Sequence, residues 1–221
     1  MKLASPFFHS VIEIREGRVS SLVIENQQCF RELLNDLAIQ TDGGDGKTVL
    51  SNDNKPVAVQ KNMEILSCFA PFPFSTKAIQ NKLVSAVIAE AVSETHWQVT
   101  SELLASIEKY LTELSADLPC GIDCSKLSFE GILKSVGITP VCGADEPVGQ
   151  VIEYMELVRA LLGDRLFVAV NMRSWFGDKE MELFVKDVIA KKLYLLLVEN
   201  CDRPRLPGEM RWTVDKDLCE F

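Results

Sequence analysis

The chain has 221 residues, with 23 Lys plus Arg against 32 Asp plus Glu, a formal charge of −9 at pH 7 and 47% hydrophobic residues. That length allows a large buried core in one domain, or in a domain with an elaborated lobe. The apolar share excludes a disordered acidic tail, which lacks the apolar area to offset ordering entropy, and the acidic balance, taken in bulk, speaks against a freestanding basic DNA-coating protein.

At the N-terminus, Lys2 and a broken apolar stretch containing His9, Ser10 and Glu13 make a poor secretory signal. Val11-Ile12-Glu13-Ile14 alternates as an exposed strand does, Glu16-Gly17 turns, and Ser20–Glu25 (SSLVIE) reads as a short apolar strand. Asn26 is placed to cap the helix whose apolar face is Phe30, Leu33, Leu34 and Leu37. Residues 42–46 (DGGDG) form a loop. Val49, Val57–Val59 and Ile65-Leu66 are short strand candidates, and Pro71 and Pro73 close this segment around Phe72.

From Ser75 to Leu118 there is neither proline nor glycine. Ser75 is the expected cap of a helix carrying Ile79, Leu83, Val87 and Ala91. Leu103, Leu104, Ile107, Leu111 and Leu114 continue the spacing after a bend near Trp97–Val99. One helix of about 40 residues, or two long ones, exceeds the usual length of about 12 and predicts a helical lobe. Pro119 and Gly121 end it. Further helices are expected over 125–136 and 147–162, the last with proline at its first position.

The last third returns to alternation. Leu166–Val170 is a buried strand, Asp178 caps a helix with Met181, Phe184, Val185 and Val188, and Leu193–Val198 is a second apolar strand. Fully apolar strands joined through helices imply a parallel sheet covered on both faces. The expected fold is α/β. Residues 1–72 and 163–221 form a head with a mixed or parallel sheet, and 73–162 form an inserted all-helical leg lobe. Residues 75–162 carry 6 basic and 12 acidic groups, most of the negative charge.

Gly43–Thr48 ends in GKT, as a phosphate-binding loop does. That loop requires GxxxxGK[ST] after a strand and before a helix. Here Thr41 stands at the first glycine position and the order is helix, loop, strand, so a plain connection is expected. An NTP-hydrolysing enzyme is carried as an alternative. The two histidines, His9 and His96, and the absence of GxSxG and HExxH give no nucleophilic centre. Metal-dependent nuclease carboxylates stay open, because such residues lie far apart in sequence. Seven cysteines, an odd count in a chain this long, argue against a disulfide framework, and Cys120, Cys124 and Cys142 are a weak zinc signal. The longest apolar run has six residues, so no membrane span is expected and the location is read as cytoplasmic. Asp117, Asp123, Glu130, Asp145, Glu146, Glu153 and Glu156 crowd the lobe. They suit either a solvated acidic face, which can serve as an adaptor surface for a protein partner, or a hard cation such as calcium. Basic residues are scattered. Lys77 and Lys82 lie on the first long helix, Lys126 and Lys134 are about two turns apart, and Arg15 and Arg18 flank a turn. Lys191-Lys192, Arg203, Arg205 and Arg211 come late.

Four segments then point to a family. Phe167–Phe176 (FVAVNMRSWF) resembles an "FVN-(L)-(R/K)-S-Y" pattern, Leu195–Glu199 (LLLVE) resembles "LLLIE", Asp215–Glu220 (DKDLCE) matches a terminal "DKDLCE", and Leu22–Asn26 matches "LVIEN". Together they resemble the small DNA-binding protein of type II-A CRISPR spacer acquisition, over nearly the whole chain and in the right order. The resemblance implies a non-enzymatic antiviral-defence protein, with a head related to phosphate-loop NTPases that lacks their activity and an inserted helical leg. It implies a homotetrameric ring around a basic hole that binds ends of linear double-stranded DNA without sequence preference, is stabilised by calcium, and works beside the CRISPR integrase complex and effector nuclease. The quoted segments carry no DNA or calcium residues. The expected DNA contacts, Lys77, Lys82, Lys126, Lys134, Arg15 and Arg18, and the expected calcium ligands, Asp117, Asp123, Glu130 and Glu153, are therefore chosen from their residue types and places in this chain.

Overall fold

A computed structural model describes residues 1–221. In chain order the elements are β1 (Lys2–Ala4), β2 (Ile12–Glu13), β3 (Val19–Ile24), α1 (Gln27–Thr41), β4 (Val49–Asn52), β5 (Lys55–Val57), α2 (Val59–Asn62) and β6 (Met63–Leu66). They continue as α3 (Lys77–Ala91), α4 (Trp97–Leu114), α5 (Phe129–Val136), α6 (Pro147–Leu162), β7 (Leu166–Val170), α7 (Asp178–Ala190), β8 (Tyr194–Glu199) and β9 (Glu209–Val214), with a 3-10 turn at Met172–Ser174 between β7 and α7.

The apolar runs read as strands form one five-stranded sheet, ordered β6-β7-β8-β3-β9, and every pairing in it is parallel. β3 and β7 are buried along their whole length, as a sheet covered on both faces requires. A smaller antiparallel sheet, β2-β1-β4-β5, flanks it in the same unit. The main core joins the two through Leu3, Ile12, Leu22, Leu33, Leu50 and Val168. β9 has no apolar run. Its residues are half-buried except Val214, and it forms the sheet edge beside β3.

Local signals set several helix ends. The Asn26 side chain accepts from the Cys29 amide at 3.0 Å, as the sequence predicts. The cap of α3 is Thr76 rather than Ser75, with Thr76 Oγ1 accepting from Ile79 N at 3.3 Å. Gly177 precedes α7, and Glu180 accepts its amide at 2.7 Å. α5 starts at Phe129, not near 125, because Ser128 caps it. The long helical stretch is two helices, interrupted over 92–96.

The chain divides into two compact units, 1–74 with 142–221, and 75–141. The expected leg ended at 162, but α6 belongs to the head. Its buried face is Val151, Ile152, Tyr154, Met155 and Val158. Tyr154 donates to Glu64 of β6 at 2.9 Å, Lys191 donates to Glu156 at 2.8 Å, and Arg159 donates to the Lys191 carbonyl at 2.5 Å. Helical periodicity shows an apolar face without showing its partner. The charge split changes with the boundary: the head has 18 basic and 24 acidic residues, the helical unit 5 and 8.

The C-terminal segment closes the head. Phe221 N donates to Thr213 O at 3.1 Å, and the Glu220 carboxylate accepts from the amides of His9 and Ser10 and from Ser10 Oγ, the last at 2.6 Å. Burial alone raises the Glu220 carboxyl, but these hydrogen bonds outweigh it and hold it below the usual range. Its stabilisation is complete above the unfolded value near about 4.3 and is lost as pH falls through the folded value. Glu220→Ala is expected to cost about 1 kcal/mol at pH 7, roughly 2–4 °C in melting temperature. The wild-type and variant curves should converge at acid pH; equal melting at pH 7 would contradict the clasp.

Candidate functional site

In an open parallel sheet, ligands bind outside the carboxyl ends of the strands, where the strand order reverses. Here that place is the end of β3, the first parallel strand in sequence, which lies between β8 and β9. A phosphate loop on such a strand needs a glycine-rich run whose amides stay free. The β3–α1 junction has only Glu25 and Asn26. Asn26 caps α1 through its oxygen and donates through Nδ2 to the Lys216 carbonyl at 2.9 Å, which closes the junction. A crevice of about 360 Å³ beside it is lined by Ile24, Glu25, Gln27, Phe30, Asn200, Cys201 and Lys216.

The GKT segment sits at the other end of α1. Gly43 and Gly44 amides donate back to Gln40 and Ile39 carbonyls, ending the helix. Further on, Lys47 N and Thr48 N donate to the Asp36 carboxylate at 2.7 and 2.8 Å, and Gln40 Nε2 donates to the same group at 3.0 Å. A carboxylate of the chain thus holds the position a phosphate would take, at the end of the helix whose dipole repels anions. Burial raises the Asp36 carboxyl, but hydrogen bonds from Thr48, Lys47 and Gln40 leave it below its ordinary value.

The other parallel strands end in polar residues. Glu199, last in β8, is buried, and its Oε1 accepts from Arg173 N at 3.1 Å. Burial pushes its carboxyl up, partly offset by that amide and by the Arg173 and Arg203 charges. Arg173, also buried, donates to the Pro204 carbonyl at 2.8 Å and to Asp178 at 3.3 Å. Arg211 donates to Glu209 at 2.7 Å and to Asp202 at 2.6 Å. Arg173 and Arg211 therefore hold loops together rather than face solvent.

The expected DNA residues are placed as follows. Lys77 and Lys82 are exposed on α3. Five residues turn a helix by about 140° beyond one full turn, so they do not share a face. Lys134 is on α5, paired with Glu130 at 2.6 Å. Lys126 lies in the turn before α5, so the expected shared helix side does not exist. In the head, Arg15 pairs with Glu13 at 2.5 Å, and Arg18 is exposed with Nη1 3.5 Å from Met210 Sδ.

The expected calcium ligands do not form a set. Asp117 is exposed beyond α4. Asp123 accepts from the amide and hydroxyl of Ser125 at 2.9 and 2.8 Å, bonds that lower its carboxyl. Glu130 holds Lys134. Glu153 belongs to the head, where it accepts from Gly143 N at 2.9 Å, Ala144 N at 2.9 Å and Cys142 Sγ at 3.2 Å. The Gly143 amide is the main reason its carboxyl lies low. No three His, Cys, Asp or Glu side chains of the chain are arranged to hold a metal ion. These four residues thus do not fit calcium within one chain, which requires several oxygens converging on one point. Sequence reasoning passed over Asp36, and met Arg173 and Glu199 only as parts of the segments that resemble a family. Only Glu199 carries a local signal, a lone acid ending an apolar strand.

A family profile described as CRISPR-associated protein (Cas_Csn2) matches residues 40–218. No curated protein matches the chain. Among solved structures, Stu0660 of Streptococcus thermophilus is 11% identical at a TM-score of 0.58, over 90% of this chain and 68% of that one. At that identity the likeness concerns the fold alone. A Pyrococcus furiosus structure described as an ABC transporter (ATP-binding protein) is 12% identical over 96% and 97% of the two chains, but its TM-score of 0.39 is too low to show a shared fold. No helix is long and apolar enough to cross a membrane.

Asp36→Ala is expected to lower stability by about 1–3 kcal/mol, because two amides lose their acceptor. Lys47→Ala should stay within about 0.5 kcal/mol of wild type. Magnesium-ATP should not raise the melting temperature of any of the three proteins in calorimetry, and a clear rise that Lys47→Ala abolishes would restore a nucleotide site.

Proposed function

The chain belongs to the Cas_Csn2 family of CRISPR-associated proteins, and from that premise we propose that it serves spacer acquisition as a homotetrameric ring that binds the ends of linear double-stranded DNA without sequence preference. The family match over residues 40–218 carries this reading. The occupied amides at Lys47 and Thr48 support a head that works without a phosphate loop. Exposed Lys77, Lys82 and Lys126, with Arg18, are the proposed phosphate contacts; Lys134 and Arg15 join them by leaving Glu130 and Glu13. Such contacts release counterions and ignore base sequence. The integrase complex and the effector nuclease are the proposed partners, in the cytoplasm.

Self-association is supported by the helical unit. It has only three buried apolar residues, Ile79, Ala91 and Leu133, yet holds ten of the chain's seventeen exposed large apolar residues. α4 buries none of its residues fully. Trp97, Leu104 and Leu111 recur every seven residues, with Thr100, Ile107 and Leu114 three positions on, the spacing of a coiled-coil seam; Trp97 and Leu114 are exposed and the four between them half-buried. A second copy, joined by closed symmetry, would cover it. Calcium enters the proposal only as a stabiliser of the ring, and no step of DNA binding runs through it.

Gel shifts should show linear duplex retarded and covalently closed circular duplex of the same sequence free. Equal binding to both, or binding to neither, would overturn the end-binding reading. Lys77→Ala should flatten the salt dependence of binding by about 0.9 in log–log slope for each phosphate it leaves without a cation. Light scattering should report four copies for wild type and fewer for Leu104→Lys with Leu111→Lys. A mass unmoved by calcium chelation removes the ion from the proposal, and a wild-type monomer removes the ring.

A further inference from the structure

Trp175, in the turn between β7 and α7, is 50% exposed, and the backbone presenting it is fixed from several sides. Asn171 adopts the left-handed region with φ of 50°. Its amide donates to Val198 O at 2.8 Å, and its Oδ1 accepts from Asn200 N at 2.9 Å. Trp175 N donates to Met172 O at 3.0 Å. Arg173 ties the same turn to Glu199, Pro204 and Asp178. Behind the indole lies Phe69, with ring centroids 6.4 Å apart and planes tilted by 57°. Phe69 is itself buried and packed against Phe72 and Phe176 at 6.3 and 5.8 Å.

The result is a large aromatic ring that is backed on one side, open on another, and carried by a backbone held in place. One cation is bonded to the same turn, and two more lie on the adjoining segments. Arg203 Nη2 donates to the hydroxyl of Ser174, the preceding residue, at 3.2 Å. Arg205 is exposed in the same loop, and Lys179 is exposed in the first turn of α7. Two nearby acids are already engaged, Asp178 by Arg173 and Asp202 by Arg211. Immobilised aromatics beside arginines and lysines are how proteins hold unpaired nucleotides: bases stack on the ring whatever their identity, and the cations take the phosphates. A duplex body, with its bases stacked on each other, offers the ring no such face.

We propose that Trp175 is a stacking platform for an unpaired base at a DNA end, with Arg203, Arg205 and Lys179 contacting the flanking phosphates. The inference rests on the duplex-end reading and adds to it a preference for frayed or overhanging ends.

The test compares two labelled duplexes of equal paired length, one blunt and one with a short single-stranded thymidine overhang, by fluorescence anisotropy with the full chain. Wild type is expected to bind the overhang duplex roughly tenfold more tightly, the effect of one stacked base. Intrinsic tryptophan fluorescence should fall more with the overhang than with the blunt end. The ratio of the two affinities within each protein is the readout. Trp175→Ala should bring it to one, and Trp175→Phe should keep most of it. A wild-type ratio of one, or a ratio that Trp175→Ala leaves unchanged while both affinities fall, overturns the platform and leaves the end-binding reading standing. If Trp175→Ala binds neither duplex, Trp175→Phe decides: a preference for the overhang that Phe retains supports the platform, and a preference lost with blunt binding retained, or a loss of both, overturns it. Failure of wild type to bind either duplex overturns the end-binding reading and the platform with it.

Discussion

Everything in the head depends on the backbone ladder of β3. This strand lies near the start of the chain, and both of its neighbours come from near the end: Ser20 pairs with Leu196 of β8 on one side and with Met210 of β9 on the other. A buried strand has no water to satisfy its amides and carbonyls, so both edges must be filled. The chain cannot form its sheet until its two ends meet. Loop-closure entropy grows only slowly with length, by about 0.6 kcal/mol per doubling, so the intervening residues can be many. That tolerance is what allows 75–141 to leave the head as a separate compact unit.

The same ladder bears on why the parallel sheet carries no phosphate loop at the end of β3. The strand order puts the β3–α1 junction at the crevice, but Asn26 seals that junction to Lys216. The glycine-rich GKT segment lies at the opposite end of α1, where Asp36 uses its amides to anchor the smaller sheet at Thr48. A carboxylate and a phosphate recognise the same donors, so an internal acid that takes the Lys47 and Thr48 amides withholds them from a ligand. The carboxyl edge keeps a different resource. Buried Arg173 and Glu199 hold the turn after β7, and that turn presents an exposed indole beside arginines.

Some of this was legible from residues and some was not. Asn26 announced its cap because capping is a contact over three residues. β3, β7 and β8 announced themselves as unbroken apolar runs, since a strand buried on both faces has no polar side to show. β9 did not, because an edge strand with half-exposed residues carries no such run. α6 is legible as a helix but not as part of the head. Its apolar face says that it packs, while Tyr154 to Glu64 and Lys191 to Glu156 say against what. Glu153 has the residue type of a metal ligand; three donors from 142–144 make it a clamp on the chain's return to the head. Lys126 and Lys134 have the spacing of one basic stripe, but Ser128 starts the helix between them.

Composition, run length and capping residues by themselves determined the α/β class, most of the elements, the helical insertion and, through four short segments, the family. They could do so because those properties depend on neighbours in sequence or on the period of a single element. The meaning of the net charge of −9 was beyond them, since a sum over the chain says nothing about which groups are paired. The tertiary structure alone decided which acids are occupied, which cations are buried, which backbone amides are already taken, and which tryptophan stands open. Some of these partners are a few residues apart and others, such as Glu220 and Ser10, meet only when the two ends of the chain close around β3.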